Sequence, residues 1–184
     1  MQLRVISGLA RGRKLKSVPG VTTRPVTDRV KEALFNILSS DAVDSQWWDL
    51  FAGTGAVGIE ALSRGAAFAR FTDNQSSAVE TIHWNLEHCG FKDRAEIIRG
   101  DVLSMISGNV DRQFEYIYIA PPQYQGLWSA TLQKLDHHPS WLAEDAWIIA
   151  QIDPVEYVQM SWTHFMEFDQ RKYGKTLLVF LTNR

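Results

Sequence analysis

The chain has 184 residues, 45% of them hydrophobic and 22% charged, with a net charge of −2 and one cysteine, Cys89. One domain of roughly 100–200 residues is expected, and the composition excludes a disordered or fibrous chain. One thiol excludes an internal disulfide and argues against a cysteine-based zinc site, and no apolar run approaches the ~18–20 residues that cross a bilayer. The start, Met1-Gln2-Leu3-Arg4-Val5-Ile6, lacks a secretory pattern, so a reducing, cytoplasmic setting with no membrane partner is expected.

Charge is unevenly spread. Residues 1–31 hold Arg4, Arg11, Arg13, Lys14, Lys16, Arg24, Arg29 and Lys31 against one acid, Asp28, a net +7; the rest of the chain carries −9. A basic arm on an acidic body points to a polyanion engaged by one face. Leu3, Val5, Leu15 and Val18 anchor a predicted hairpin over 2–17, and Pro19, Gly20 and Pro25 mark a linker over 19–26. Thr27 or Asp28 then caps a helix. Its Val30, Ala33, Leu34, Ile37 and Leu38 repeat at helical spacing, leaving Arg29, Lys31, Glu32 and Asn36 for the opposite face.

From residue 47 strands and helices alternate. Strands are expected at 47–51, 67–72, 95–99, 114–119 and 146–152. Helices are expected at 56–64, 76–88 and 128–136, the first two closed by Gly65 and Gly90. The continuous apolar run Tyr116-Ile117-Tyr118-Ile119 suits a strand buried on both faces of a parallel sheet. A final hairpin is expected from 163–168 and 175–182, adding antiparallel strands to a sheet covered by helices on both faces.

Gly53, Gly55 and Gly58 form G-x-G-x-x-G directly after a strand and before a helix, in Asp49-Leu50-Phe51-Ala52-Gly53-Thr54-Gly55-Ala56-Val57-Gly58. Such glycines permit a tight turn and close approach of a ligand. Asp73 ends the next strand, where a carboxylate can accept from two ribose hydroxyls. The alternatives are a glycine-rich turn without a ligand and a site for a dinucleotide or for S-adenosylmethionine. Asp49 favours the cationic one, because a carboxylate beside a diphosphate is repulsive. Asp101, after the third strand, could accept from an adenine amino group.

A second signal, Ala120-Pro121-Pro122-Gln123-Tyr124, follows the fourth strand at the ligand-binding edge of an open α/β sheet. The prolines fix the loop and leave carbonyls free, and fixed carbonyls beside an aromatic ring suit a planar base with an amino group.

These stretches resemble the bacterial small-subunit rRNA guanine-N2 methyltransferases of the RsmD type. The likeness runs through Arg4-Val5-Ile6-Ser7-Gly8 and Arg11-Gly12-Arg13-Lys14-Leu15, through the stretch from Thr23-Arg24-Pro25 to Leu38, through Asp49 to Ala66, and through Lys172-Tyr173-Gly174-Lys175-Thr176. It implies an α/β, Rossmann-like class I methyltransferase: a mostly parallel seven-stranded sheet with a C-terminal antiparallel hairpin. It also implies a basic N-terminal hairpin and helix (1–38) packed on a main domain (39–184). S-adenosylmethionine would bind at Asp49, Phe51, Gly53, Gly55, Asp73 and Asp101, with Arg24 and Thr27 beside it. Arg4, Arg11, Arg13, Lys14, Lys16, Arg29 and Lys31 would grip phosphates of small-subunit rRNA or of an assembling 30S particle. The catalytic loop would be Ala120, Pro121, Pro122, Gln123 and Tyr124. A monomer without a metal is expected.

The catalytic loop departs from the family pattern, Asp or Asn, Pro, Pro, then Tyr or Phe, at two positions, Ala120 and Gln123. Ala120 stands where the family has Asp or Asn, and Tyr124 follows one residue after the family's aromatic position. A methyl group cannot accept from a guanine amine, and loss of one placed polar group can cost about 10²–10³ in rate. Gln123 or a neighbouring carbonyl is expected to take its place. The alternatives are an RNA-binding protein that has lost turnover, an amino-methyltransferase for another nucleic acid, and a nicotinamide oxidoreductase. The adjacent His137 and His138, and His83 with His88, have poor metal spacing; Trp128 is expected to pack, although it could line the substrate mouth.

Overall fold

The two-residue period of the strands sorts their side chains onto two faces. The computed structural model describes residues 3–20 and 26–184. Its strands are β1 (Gln46–Asp49), β2 (Phe68–Asp73), β3 (Ala95–Arg99), β4 (Phe114–Ile119), β5 (Leu142–Ile152), β6 (Phe165–Tyr173) and β7 (Thr176–Asn183). They form one sheet in the order β3-β2-β1-β4-β5-β7-β6. β1 to β5 are parallel, and β7 runs antiparallel between β5 and β6. The order reverses beside β1, so the carboxyl ends of β1 and β4 flank the crevice where such sheets take ligands.

Adjacent residues of each strand serve opposite faces. Trp47, Phe71, Tyr116 and Tyr118 pack with helices α1 (Asp28–Leu38), α2 (Ala56–Ser63) and α3 (Ser76–Cys89). Trp48, Leu50, Ile117 and Ile119 pack instead with α4 (Val102–Ile106) and α5 (Leu127–His137). The two tryptophans therefore belong to two cores. The Trp48 indole N–H also satisfies its one donor on the Thr72 hydroxyl, at 2.9 Å.

Local chemistry explains the helix ends. The Thr27 hydroxyl accepts from the Val30 N–H and starts α1. Gly90, at φ +78°, lets the chain leave α3 in a left-handed turn that a side chain would oppose. α1 buries Val30, Leu34, Phe35 and Leu38, each worth about 1.5–3 kcal/mol of apolar burial.

Several elements differ from the sequence reading. α4 was not anticipated, although Asp101 is its N-cap and accepts from the Ser104 N–H at 2.8 Å. β5 begins at Leu142 rather than 146, because Phe114 pairs with Leu142 before an irregular step in register. β6 extends to Tyr173, and the hairpin reverses at Gly174 (φ +61°). Among the described residues no helix is long and apolar enough to cross a membrane.

The N-terminal hairpin closes through one bridge, Arg4 with Lys14, flanked by Leu15 N–H to Leu3 O and Val5 N–H to Arg13 O, both 2.9 Å. Leu3, Val5, Ala10 and Leu15 enter the same core as α1 and α2. Glu60 on α2 is fully buried and accepts from the backbone N–H groups of Ile6 (2.8 Å) and Ser7 (3.0 Å). Arg64 Nε lies 2.9 Å from Glu60 and Lys31 Nζ 3.6 Å from it. Gly8 sits so close to α2 that an added Cβ would lie 1.8 Å from the Ser63 carbonyl oxygen.

Candidate active site

The site is built where β1 ends. Asp49 lies in register between Phe71 of β2 and Tyr118 of β4. Its carboxyl is buried, and Oδ1 has no hydrogen-bond partner among the described residues. Burial raises its pKa to about 7; the Gly58 N–H opposes that rise and the nearby Asp73 charge adds to it. An unpartnered buried carboxylate oxygen costs free energy unless a donor reaches it. A ligand carrying an ammonium group supplies both the donor and the countercharge, so this residue fits the methionine end of S-adenosylmethionine.

The glycines have separate jobs. Gly53 (φ +52°) and Gly55 (φ +75°) adopt backbone conformations unfavourable to side chains. Gly58 is required by packing: a Cβ there would lie 2.4 Å from Phe71 Cε1. Asp73 braces the loop, since its Oδ2 accepts from Gly53 N–H at 2.9 Å and its Oδ1 from Gln75 N–H at 3.0 Å. Its carbonyl accepts from Gly100 N–H at 3.0 Å, which brings Asp101 to the same edge. Asp101 is exposed, and the Ser104 N–H it accepts from holds its carboxyl below the usual range. Phe51 is half-buried against the second core.

Thr27 spends its hydroxyl on the α1 cap, and Arg24 lies outside the described residues, as do Thr23 and Pro25. Gly53, Gly55, Asp49, Asp73 and Asp101 are thus brought to one sheet edge. Two cavities lie elsewhere among the described residues, one of about 430 Å³ lined by Ser129, Gln133, Met160 and Trp162, the other of about 250 Å³ lined by Arg4, Ile6, Arg11 and Glu32.

After β4 the Pro-Pro loop occupies the next position along that edge. Ala120 and Pro121 are half-buried, while Pro122, Gln123 and Tyr124 are exposed. Beneath them Tyr118 donates to Gln151 Oε1 at 2.6 Å, and burial pushes its hydroxyl well above the ordinary tyrosine pKa. Tyr124 is tied to the turn after β5 through Asp153 and Glu156, two residues that sequence reading missed. Only the folded sheet, which sets β4 beside β5, shows that contact. Trp128 is buried and stacks on Tyr157 with ring centroids 6.2 Å apart, a packing role.

The basic arm divides. Arg11, Lys14 and Arg29 are exposed. Arg4 pairs with Asp28 at 2.8 Å, the Arg13 guanidinium donates to the His88 carbonyl, and Lys16 Nζ lies 3.8 Å from the Trp84 ring centroid. Lys31 corrects the helical-face expectation. Its side chain is fully buried, its ammonium donates to the Arg4 carbonyl and faces Glu60, and burial lowers its pKa. It holds the hairpin to α1 and α2 and is not presented to RNA. Among the described residues no group of three or more His, Cys, Asp or Glu is placed to hold a metal ion.

Fold and crevice are those of the Rossmann-like methyltransferases. The family model for conserved hypothetical protein 95 matches residues 3–182. The chain is 35% identical over 150 residues to ribosomal RNA small subunit methyltransferase D of Escherichia coli, covering 82% of this chain and 74% of that one. It is 38% identical over 153 residues to YlbH of Bacillus subtilis, described by inference as an rRNA methyltransferase, covering 82% and 83%. The solved structure of Escherichia coli yhhF, inferred in its description to be a methyltransferase, superposes with a TM-score of 0.88 at 30% identity, covering 100% of this chain and 99% of that one. The chain belongs to this family, the RsmD-type methyltransferases.

Proposed function

We propose that the protein methylates the exocyclic N2 amine of a guanine in small-subunit rRNA. The observation that carries this reading is the shared sheet edge. It sets the buried Asp49 carboxyl, whose Oδ1 has no partner among the described residues and which suits a cationic cofactor, beside a Pro-Pro loop suited to a planar amine-bearing base. Membership of the RsmD-type family supports the same reading. When bound, S-adenosylmethionine supplies an electrophilic methyl; transfer to the amine nitrogen leaves the thioether and releases a proton.

In this reading Asp49 holds the cofactor's ammonium, while Asp73 and Asp101 serve its ribose and adenine. Phe51, Gly53 and Gly55 line the methionine end, and Thr27 lies beside it. The carbonyls of Ala120 and Pro121 and the Gln123 side chain are the acceptors left for the guanine amine, and Tyr124 stacks on the base. A fixed loop contributes by orientation, which lowers the barrier only if the reacting atoms are held in line. Arg11, Lys14 and Arg29 contact phosphate, helped by Arg4, Arg13 and Lys16; such contacts position RNA without reading its sequence.

The test is transfer of labelled methyl to small ribosomal subunits lacking native guanine methylation, with the nucleosides identified by mass spectrometry. N2-methylguanosine is the expected product. Ala120 favours one other reading, a cofactor- and RNA-binding protein without turnover. Absence of product, with S-adenosylhomocysteine still raising the melting temperature, would select it.

A further inference from the structure

The one exposed aromatic side chain of the Pro-Pro loop is held more tightly than its exposure explains. Tyr124 is 67% exposed, yet both of its donors are spent on one short turn. Its backbone N–H donates to Glu156 Oε1 at 2.7 Å, and its hydroxyl donates to Asp153 Oδ2 at 2.9 Å. Each carboxylate uses its other oxygen to brace the turn itself. Asp153 Oδ1 accepts from Val155 N–H at 3.0 Å, and Glu156 Oε2 accepts from Asp153 N–H at 3.4 Å, a reciprocal capping box. That turn is anchored in its own right, since the Tyr157 ring stacks on buried Trp128 and its hydroxyl donates to Glu167 at 3.0 Å.

Stability does not account for this arrangement. Solvent-exposed hydrogen bonds contribute little, because water competes for both partners. Tyr124 also sits at φ +62°, a conformation that costs free energy for any residue with a Cβ. An unfavourable backbone conformation maintained at the edge of a ligand crevice is a sign of pre-organisation.

We propose that Asp153 and Glu156 are positioning residues that hold the Tyr124 ring at the substrate mouth as a ready-made stacking surface for the flipped base. The inference rests on the RNA-methyltransferase reading above. It also explains how an aromatic displaced by one residue from the family position can still serve the base: the neighbouring turn, not the Pro-Pro loop alone, sets its plane. Asp153 does not make the mouth hostile to RNA, because its charge is met by the Val155 N–H and Tyr124 hydroxyl and by nearby Lys172 and Lys175.

The test uses the full chain loaded with S-adenosylhomocysteine and a single-stranded RNA oligonucleotide carrying 2-aminopurine, whose fluorescence is quenched when it stacks. The wild type is expected to quench, and Tyr124→Ala to abolish the effect. Tyr124→Phe removes the hydrogen bond between Tyr124 and Asp153 and should weaken the quenching-derived affinity about fivefold, and Asp153→Ala, which removes that bond and the Val155 cap, should weaken it at least as much. The double variant should be no weaker than Asp153→Ala alone. Glu156→Gln, which keeps an acceptor, should quench like wild type while Glu156→Ala does not. A melting-temperature rise with S-adenosylhomocysteine establishes that each variant retains its cofactor crevice. Independent effects that multiply in the double variant, or quenching unchanged in Tyr124→Ala, would overturn the proposal. Methyl transfer by the wild type tests the underlying reading separately: quenching without product would retain the clamp and remove the methyltransferase function.

Discussion

The glycine crevice and the Pro-Pro loop sit side by side on one sheet edge but are held by different physics. The crevice is set by packing: Gly58 has no room for a Cβ against Phe71, and Asp49 is buried between β2 and β4. The Pro-Pro loop projects into solvent and is placed by two polar contacts from another turn. Steric placement tolerates almost no substitution. Polar placement at the surface is weaker, and it lets the aromatic move by one residue and still be held. In the proposed reading the cofactor end is thus the sterically fixed half, and the substrate end is the half that departs from the resembled family's pattern, at Ala120.

The largest expected effect breaks the comparison on the buried side through pH. Asp49 has a pKa of about 7 in the folded chain against 3.8 as a free side chain. The folded state therefore keeps a proton that the unfolded state releases, and stability falls as pH rises from about 4 to about 7, then levels off. Three pKa units set an upper bound of about 4 kcal/mol on that loss. Denaturant melts across this window should show the slope in wild type and not in Asp49→Asn. A ligand bearing an ammonium prefers the ionised carboxyl, so S-adenosylhomocysteine should bind more tightly as pH passes 7, and the variant should lose that dependence.

Next comes Gly58→Val. Overpacking against Phe71 should cost about 1–3 kcal/mol in urea unfolding, and Phe71→Leu should restore part of it. A cost of zero would mean that the crevice is as adaptable as the loop. On the other side, Ala120→Asn returns an acceptor and should raise the methyl-transfer rate at saturating RNA about tenfold, below the full 10²–10³ of a placed polar group because Gln123 and the carbonyls already contribute. Its S-adenosylhomocysteine affinity should match wild type; a change there would show that the two halves are coupled. The smallest effect is Lys14→Ala. Each lost phosphate contact should reduce the salt slope of log RNA affinity by about 0.7–0.9, with melting temperature unchanged.

Much of the fold was legible because its signals are local. Thr27 announces α1 and Gly90 ends α3, and the β3 and β4 limits follow their apolar runs. The glycine loop was legible for the same reason, since turn sterics demand glycine wherever the chain goes next. Asp101 could have disclosed α4 as an N-cap, but five residues of helix leave too little periodicity to read. Lys31 was misread because helical spacing assigns a face and not its surroundings; its burial depends on Glu60 of α2 and on the Arg4 carbonyl.

The alternation of strands and helices, the glycine turn, the buried apolar runs and the likeness to one methyltransferase family can all be read along the chain, because backbone sterics and side-chain period act over a few residues. The strand order, the unpartnered Asp49 Oδ1 among the described residues, the burial of Lys31 and the hold on Tyr124 cannot. Each of those depends on groups far apart in the chain that meet only when the sheet closes β4 against β5 and α2 against the N-terminal hairpin.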